Sequence, residues 1–550
     1  MALLCGKKTP KAAAFQREIS PAISHLRHYI GSAACCPSRA TLLTGHYPSL
    51  HGVSQTTGVA KEAFDSDMFW LGRNTLPTMG NYFREAGYRT YYKGKWHISQ
   101  ADITVPGTHQ DLPSYNPVNG VPDRQKSALY KHADPLDSYG FSGWIGPEPH
   151  GKNPRNSASS AAYGVSGRDV VYAAEAAQLL AALEQQKQSG HAAAPWLIVA
   201  SFVNPHGIVL YGDLTEHLPA FHFDADGTPP IPPPPSMNES LHTKPRCQAS
   251  YRHIYPRALQ QITNEPFYRK LYYRLQRKAD QAMHRVFEAL TRSSMYDNTI
   301  VIFTSDHGDL LGAHGGLHQK WYTAYEEALH VPLIIHSKRL FPSYVSCHAL
   351  TSHVDLLPTM LGLAGIDLGA VEERLRAKFS EVRPFVGRDL TSAFLGGAAL
   401  VDEPIYFMTD DDITRGQHQT NTLGVPYPAV IQPNHIETVI AVLRSHDRQE
   451  TWKLSRYFDN RDFWSQPGAK DEIVQPGHPA SRMPVKSVKT IPVQEEYGLY
   501  NVTADHLELR NLAHPAFASP QTLPVLQLMI RLLEEQRQAK RLRPAAPGGN

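Results

Sequence analysis

The chain has 550 residues and a mass of 61.2 kDa, more than one minimal module, and a prior of roughly 150 residues per domain allows three or four units. Hydrophobic residues at 41% and charged residues at 19% permit a sizeable core and exclude wholesale disorder. Lys plus Arg number 54 against 51 Asp plus Glu, and the formal charge of +3 gives no bulk drive toward nucleic acid or membrane, so an anion must be bound by a local site.

No apolar run approaches the roughly 18 to 20 residues that cross a bilayer, so no membrane span is expected. The apolar start ahead of Gly6, Lys7 and Lys8 is too short for the h-region of a secretory signal, and the compartment stays unassigned. Cys5, Cys35, Cys36, Cys247 and Cys347 are few and odd in number, against a disulfide framework. The sequons at Asn238 and Asn501 matter only in a secretory compartment and carry little weight.

In chain order, residues 12–28 read as a short helix broken at Pro21. A helix follows over 37–43, with Pro37 early, where its missing N–H is harmless, and Gly45 just past the end. Residues 76–86 form a helix ending at Gly87, and 88–92 a strand leading into the loop Gly94-Lys95-Trp96-His97. Residues 170–186 are helical by apolar spacing, and 196–203 form a continuously apolar, buried strand that Asn204-Pro205-His206 terminates.

The proline-rich stretch 227–235 is an extended surface loop. A long amphipathic helix at 265–291 precedes a buried strand at 299–304, which ends in Ser305-Asp306-His307-Gly308-Asp309. Further elements are a strand at 331–336 and a helix at 353–363. After about residue 400 come short strands at 404–408, 438–443 and 451–457, then a helix from 523 to 541. Helix, strand and polar residues at the strand's carboxyl end recur, which predicts an α/β sheet with its site along those ends. The expected organisation is a catalytic domain over 1–398, a smaller C-terminal α+β subdomain over 399–522, and a helix with a disordered tail over 523–550.

The sharpest motif is Cys35-Cys36-Pro37-Ser38-Arg39, followed by Thr44-Gly45. It resembles the signature C-x-P-S-R-x-x-x-x-T-G of the type I sulfatases, formylglycine-dependent enzymes of the alkaline phosphatase superfamily. Six fixed positions make a chance match rarer than about one in ten thousand. Gly87-Tyr88-Arg89-Thr90 with Gly94-Lys95-Trp96-His97 looks like the same family's G-Y-x-T…G-K-x-H element. Asn204-Pro205-His206, Asp306-His307 and Lys320 match its later pieces, and 352–359 and 500–512 resemble its post-site helix and C-terminal domain.

The resemblance implies an α/β fold with a large mixed sheet sandwiched by helices. It implies that Cys35 is oxidised to formylglycine by a formylglycine-generating enzyme, and that its hydrate attacks the sulfur of a sulfate monoester. Arg39 would hold the hydrate or the metal shell, Lys95 the sulfate, and His97 would accept the proton that lets the intermediate collapse. His206 and Lys320 would contact the sulfate and the leaving oxygen. One divalent cation, calcium in this family, would be held by Cys35, Asp306 and His307. His314 and His318 are read as wall residues within reach of substrate. The substrate class is a small-molecule or glycan sulfate ester, chosen by rim loops at 101–165 and 207–250.

Members of the family open with a buried strand ending in two adjacent aspartates. Residues 1–34 contain no Asp and only Glu18 as an acid. The first core strand is therefore expected to be missing and its neighbours' edges exposed. An active sulfatase whose sequence begins too late here is the leading expectation. A phosphonate monoester or phosphodiester hydrolase, and a truncated non-catalytic binder of sulfated ligands, are the alternatives.

Overall fold

A computed structural model describes residues 22–545 except 117–118, 150–166, 191–193, 220, 342, 398, 446–447, 465–471, 476–484 and 489–490. The expected helical residues 12–21, the 150–165 part of the rim loop and the tail beyond 545 lie outside the described residues.

The segment expected to close a helix at residue 28 is instead strand β1, Ala22–Tyr29. Propensity is overridden by pairing on both sides: β1 runs antiparallel to β5 (His330–His336) and parallel to β6 (Val345–Cys347) and β7 (Thr351–Ser352). Ile23, His28 and Tyr29 are buried, and His28 Nδ1 lies 2.9 Å from Thr351 Oγ1. Beyond β5 lies β4, Val301–Thr304, completing the order β4-β5-β1-β6 with β7 beside β1. A separate parallel pair joins β2, Arg89–Gly94, to β3, Trp196–Ser201.

Helices cover both faces. On one side α3 (Arg168–Gln188) and α5 (Glu265–Thr291) bring Leu180, Leu183, Phe287 and Leu290 against Trp196, Ile198, Val301 and Phe303. On the other, α1 (Cys35–Thr44), α2 (Met79–Glu85) and α6 (Leu356–Leu363) pack on β2 to β5. A fourth helix, α4 (Arg246–Ala258), lies between α3 and α5 in the chain and buries Tyr251 and Ile254 in a third apolar cluster. Apolar layers on both faces account for the unbroken apolar runs of β3, β4 and β5.

The strands at 196–201 and 301–304 are only half-buried, contrary to the burial expected from their composition. All six residues of β3, and Ile302 and Thr304 of β4, line a cavity of about 1040 Å³.

A second, antiparallel sheet has the order β13-β10-β9-β8: β8 is Ile405–Thr409, β9 His435–Ser445, β10 Arg448–Phe458 and β13 Glu496–Asn501. Between them Glu472–Gln475 (β11) pairs with Val485–Val488 (β12). Helix α7, Thr522–Lys540, buries Met529 and Leu533 against this sheet. Lys453 Nζ, from β10, lies 2.9 Å from Glu326 just before β5 and 2.8 Å from Glu508, tying the second sheet to the segment that leads into the first. Among the described residues no single helix is long and apolar enough to cross a membrane.

Candidate active site

Four chain segments reach one end of the cavity from the carboxyl ends of strands. Cys35 follows β1, Lys95 follows β2, His206 follows β3, and Asp306 and His307 follow β4. Cys35 is the first residue of α1, whose first turn carries no acid, so the helix's positive end faces the sulfur unopposed by its own side chains. Its Sγ lies 3.4 Å from Lys95 Nζ and 3.2 Å from His307 Nε2. Burial pushes the Cys35 thiol up, yet the charges of Lys95, Lys320 and His307 together hold it well below the usual thiol range.

The loop after β2 depends on glycine. Gly94 has φ +96°, and a Cβ there would sit 1.9 Å from the Ser201 carbonyl oxygen. That close approach lets Lys95 N–H donate to Ser201 O at 2.9 Å. The Lys95 carbonyl accepts from Tyr92 Oη (2.7 Å) and Arg39 Nη1 (2.9 Å). Its ammonium is left to the sulfur and to His206, whose Nδ1 is 3.4 Å away. Burial, then Lys95, lowers His206 to about 4.

His97 adopts φ +62° and is held by Glu148, whose Oε2 accepts from Trp96 N–H (3.1 Å) and His97 N–H (3.0 Å). Its Nε2 lies 2.8 Å from Thr57 Oγ1, and burial lowers it to about 4, so the ring is neutral near pH 7. Burial pushes Glu148 up to about 7 against the opposing charges of Lys95 and Arg39.

Arg39 is a bridge between strands. Nη1 donates to Ser201 Oγ at 2.7 Å as well as to Lys95 O, and Nη2 lies 2.8 Å from Asp306 Oδ2. Although burial would raise it, the Asp306 carboxyl is held well below the usual range by Arg39 and His307. Lys320, buried in the cavity wall, donates to Gln319 Oε1 at 3.2 Å, and its Nζ stands 4.3 Å from the Trp321 ring. Of the expected residues, Cys35, Arg39, Lys95, His206, Asp306, His307 and Lys320 line the cavity, and His97 reaches both Thr57 and the Cys35 side chain.

Cys35, Asp306 and His307 bring one ligand atom each within 4.8 Å of one another. A thiol, an imidazole and a single carboxylate already paired with Arg39 do not fit calcium, which takes 6 to 8 oxygens. The described residues supply a softer, smaller donor set.

His314 and His318, read as wall residues, do not line the cavity. His314 is fully buried between Glu239 (2.9 Å) and Glu327 (3.1 Å) and stacks on Tyr325 at 3.6 Å. Burial opposes its charge, but the two carboxylates raise it to about 9. His318 pairs with Glu265 at 2.9 Å and stacks on Tyr255. Their polar partners come from distant loops and helices, which motif reading does not see.

Sequence reading also missed the supports. Glu148 positions His97, and Asp169 receives Val203 N–H (2.6 Å) and Asn204 N–H (3.0 Å), fixing the turn before His206. Asp411, after β8, accepts from Trp321 Nε1 (3.0 Å) and Thr56 N–H (3.1 Å), bracing the wall beside Lys320 and Thr57. The run Asp410-Asp411-Asp412 was the one visible signal.

A family model described as Sulfatase matches residues 6–366. The chain is 28% identical over 348 residues to the uncharacterized sulfatase YidJ of Escherichia coli K12, covering 62% of this chain and 60% of that protein. It is 26% identical over 373 residues to a choline-sulfatase of Rhizobium meliloti, covering 62% and 61%. The chain thus spans about three-fifths of the length of these two relatives. Among solved structures, a 2-O GAG sulfatase aligns with TM-score 0.57 and 18% identity over 95% of this chain and 86% of that one. A phosphonate monoester hydrolase from Silicibacter pomeroyi aligns with TM-score 0.56 and 16% identity over 96% and 90%. These two likenesses establish the shared fold.

Proposed function

The chain belongs to the sulfatase family, and from that premise we propose that it is a sulfuric ester hydrolase whose nucleophile derives from Cys35, with a small-molecule or glycan sulfate ester as substrate. The observation that carries this reading is the placement of the Cys35 sulfur, at a helix N-terminus and 3.4 Å from Lys95, in a cavity that Lys320 and His206 also line. A buried cationic pocket around one activated side chain suits a sulfate anion and the charge that develops on its oxygens.

Formylglycine at Cys35, made by a formylglycine-generating enzyme, supplies two geminal hydroxyls when hydrated, one to attack sulfur and one whose deprotonation expels sulfate. Lys95 and Lys320 bind the sulfate oxygens and oppose the growing negative charge. His97, neutral near pH 7, is the base that takes the proton from the collapsing group. His206 contacts the ester oxygen, and the bound anion raises its proton affinity so that it can donate to the leaving alcohol. Arg39 positions Asp306 and the Lys95 backbone.

Cys35, Asp306 and His307 mark the proposed position of a divalent cation. Their donors fall short of a calcium shell. The catalytic domain is proposed to end at residue 398 and the C-terminal subdomain at residue 522.

The test is co-expression with a formylglycine-generating enzyme, mass spectrometry of the peptide containing residue 35, and turnover of aryl sulfate beside aryl phosphonate esters. Aldehyde at Cys35 with preferential sulfate release is expected. Preference for the phosphonate would assign the alternative hydrolase, and tight binding of sulfated ligands without turnover by the modified chain would make it a binding protein.

A further inference from the structure

Lys320 lies in the segment joining β4 to β5, between Gln319 at φ +65° and Tyr322 at φ +62°. Residues with a Cβ keep that left-handed conformation where their surroundings hold it. Two carboxylates just past β8, in the second sheet, supply holding contacts. Asp412 Oδ1 accepts from Tyr322 Oη at 2.6 Å, and Asp411 Oδ2 accepts from Trp321 Nε1 at 3.0 Å.

Trp321 is the link to the ammonium. Its ring stands 4.3 Å from Lys320 Nζ, and a carboxylate that accepts the indole N–H polarises the ring toward the face that meets the cation. The other oxygen of the same carboxylate, Asp411 Oδ1, accepts from Thr56 N–H at 3.1 Å. The next residue, Thr57, brings Oγ1 to 2.8 Å from His97 Nε2. Asp411, Trp321 and Thr56 are buried, and neither Asp411 nor Trp321 lines the cavity. One carboxylate from the second sheet therefore reaches Lys320 through Trp321 and His97 through the Thr56-Thr57 pair.

We propose that Asp411 and Trp321 are positioning residues for the reaction, an inference that rests on the sulfuric ester hydrolase reading. Trp321 holds the Lys320 ammonium against its ring face, and Asp411 ties that ring to the segment behind His97. The cation that meets the substrate anion and the base that takes the proton thereby keep a fixed separation.

The experiment compares the formylglycine-modified full chain with Asp411→Asn, which leaves one acceptor oxygen for two donors, and with Trp321→Phe, which keeps a ring but removes its N–H. Phenyl sulfate, with the more basic leaving oxygen, depends more on Lys320 than 4-nitrophenyl sulfate does. Both variants should lose at least about tenfold in kcat/KM on phenyl sulfate, and the loss on 4-nitrophenyl sulfate should be at least about threefold smaller. The double variant should lose little more than Asp411→Asn alone, because both changes cut one link. Amide hydrogen exchange should quicken around 319–323 in both variants, and around 56–58 in Asp411→Asn only.

Equal losses on the two esters would reduce the effect to a smaller folded fraction and overturn the proposal, as would unchanged rates or additive losses. The exchange pattern needs no turnover and so separates this proposal from the reading beneath it. An unsubstituted chain inert toward both esters, with the exchange pattern as expected, fails the hydrolase reading and keeps the placement of Lys320 and His97 by Asp411. An active unsubstituted chain whose variants lack that pattern fails the placement.

Discussion

Cys35 and Cys36 are neighbours on the first turn of α1, yet their thiols are driven in opposite directions. Both are buried, and burial raises each, but Lys95, Lys320 and His307 reverse the shift at Cys35 while the Cys35 charge adds to it at Cys36. In the unmodified chain, iodoacetamide should therefore alkylate Cys35 near about pH 7 and leave Cys36 unlabelled. Lys95→Met should move the midpoint of Cys35 labelling up by one pH unit or more, to about the range of an ordinary thiol. Peptide mapping by mass spectrometry reads both residues, and equal labelling of the two would refute the assignment.

Arg39 and Asp306 form a largely buried pair, so removing the cation strands a carboxylate. Arg39→Met should destabilise the chain by about 3 to 5 kcal/mol in chemical denaturation. The double variant R39M/D306N should lose less than R39M alone, because the stranded charge is gone. Equal losses would mean that Arg39 stabilises through its contacts to Ser201 and Lys95 instead.

Gly94 and Gly52 both have positive φ, at +96° and +78°, but differ in their surroundings. A Cβ at residue 52 meets nothing within 4 Å, whereas one at residue 94 collides with the Ser201 carbonyl. Gly52→Ala should cost about 1 kcal/mol, and Gly94→Ala at least about 3, as the Lys95 loop is forced off β3. The difference between their Tm values checks this.

His51 is buried with both ring nitrogens engaged, Nδ1 accepting from Val53 N–H and Nε2 3.1 Å from Thr41 Oγ1. Burial lowers it to about 3. The unfolded ring binds protons below about pH 6.5 while the folded one stays neutral, so its contribution to stability is complete above that pH and is lost as pH falls toward 3. Between pH 6.5 and 4 this single ring should remove about 3 kcal/mol. His51→Gln should flatten the pH dependence of the unfolding free energy by about that amount, and an unchanged slope would show that the ring is protonated in the folded state.

Much of the site was legible because local chemistry writes it locally. The run from Cys35 to Gly45 specifies a helix N-terminus carrying a thiol, and Gly94 is required by the turn that presents Lys95. The apolar runs at 196–201 and 301–304 marked sheet strands, and the polar residues after them marked the site's edge. Other features came only from chain segments meeting in space. Residues 22–29 are a strand because two neighbours pair with them, a condition no local pattern contains. His314 is a buried cation because Glu239 and Glu327 close on it from distant positions. The half-buried state of β3 and β4 follows from the cavity that both line, since composition sets how apolar a strand is, while burial depends on what packs beside it.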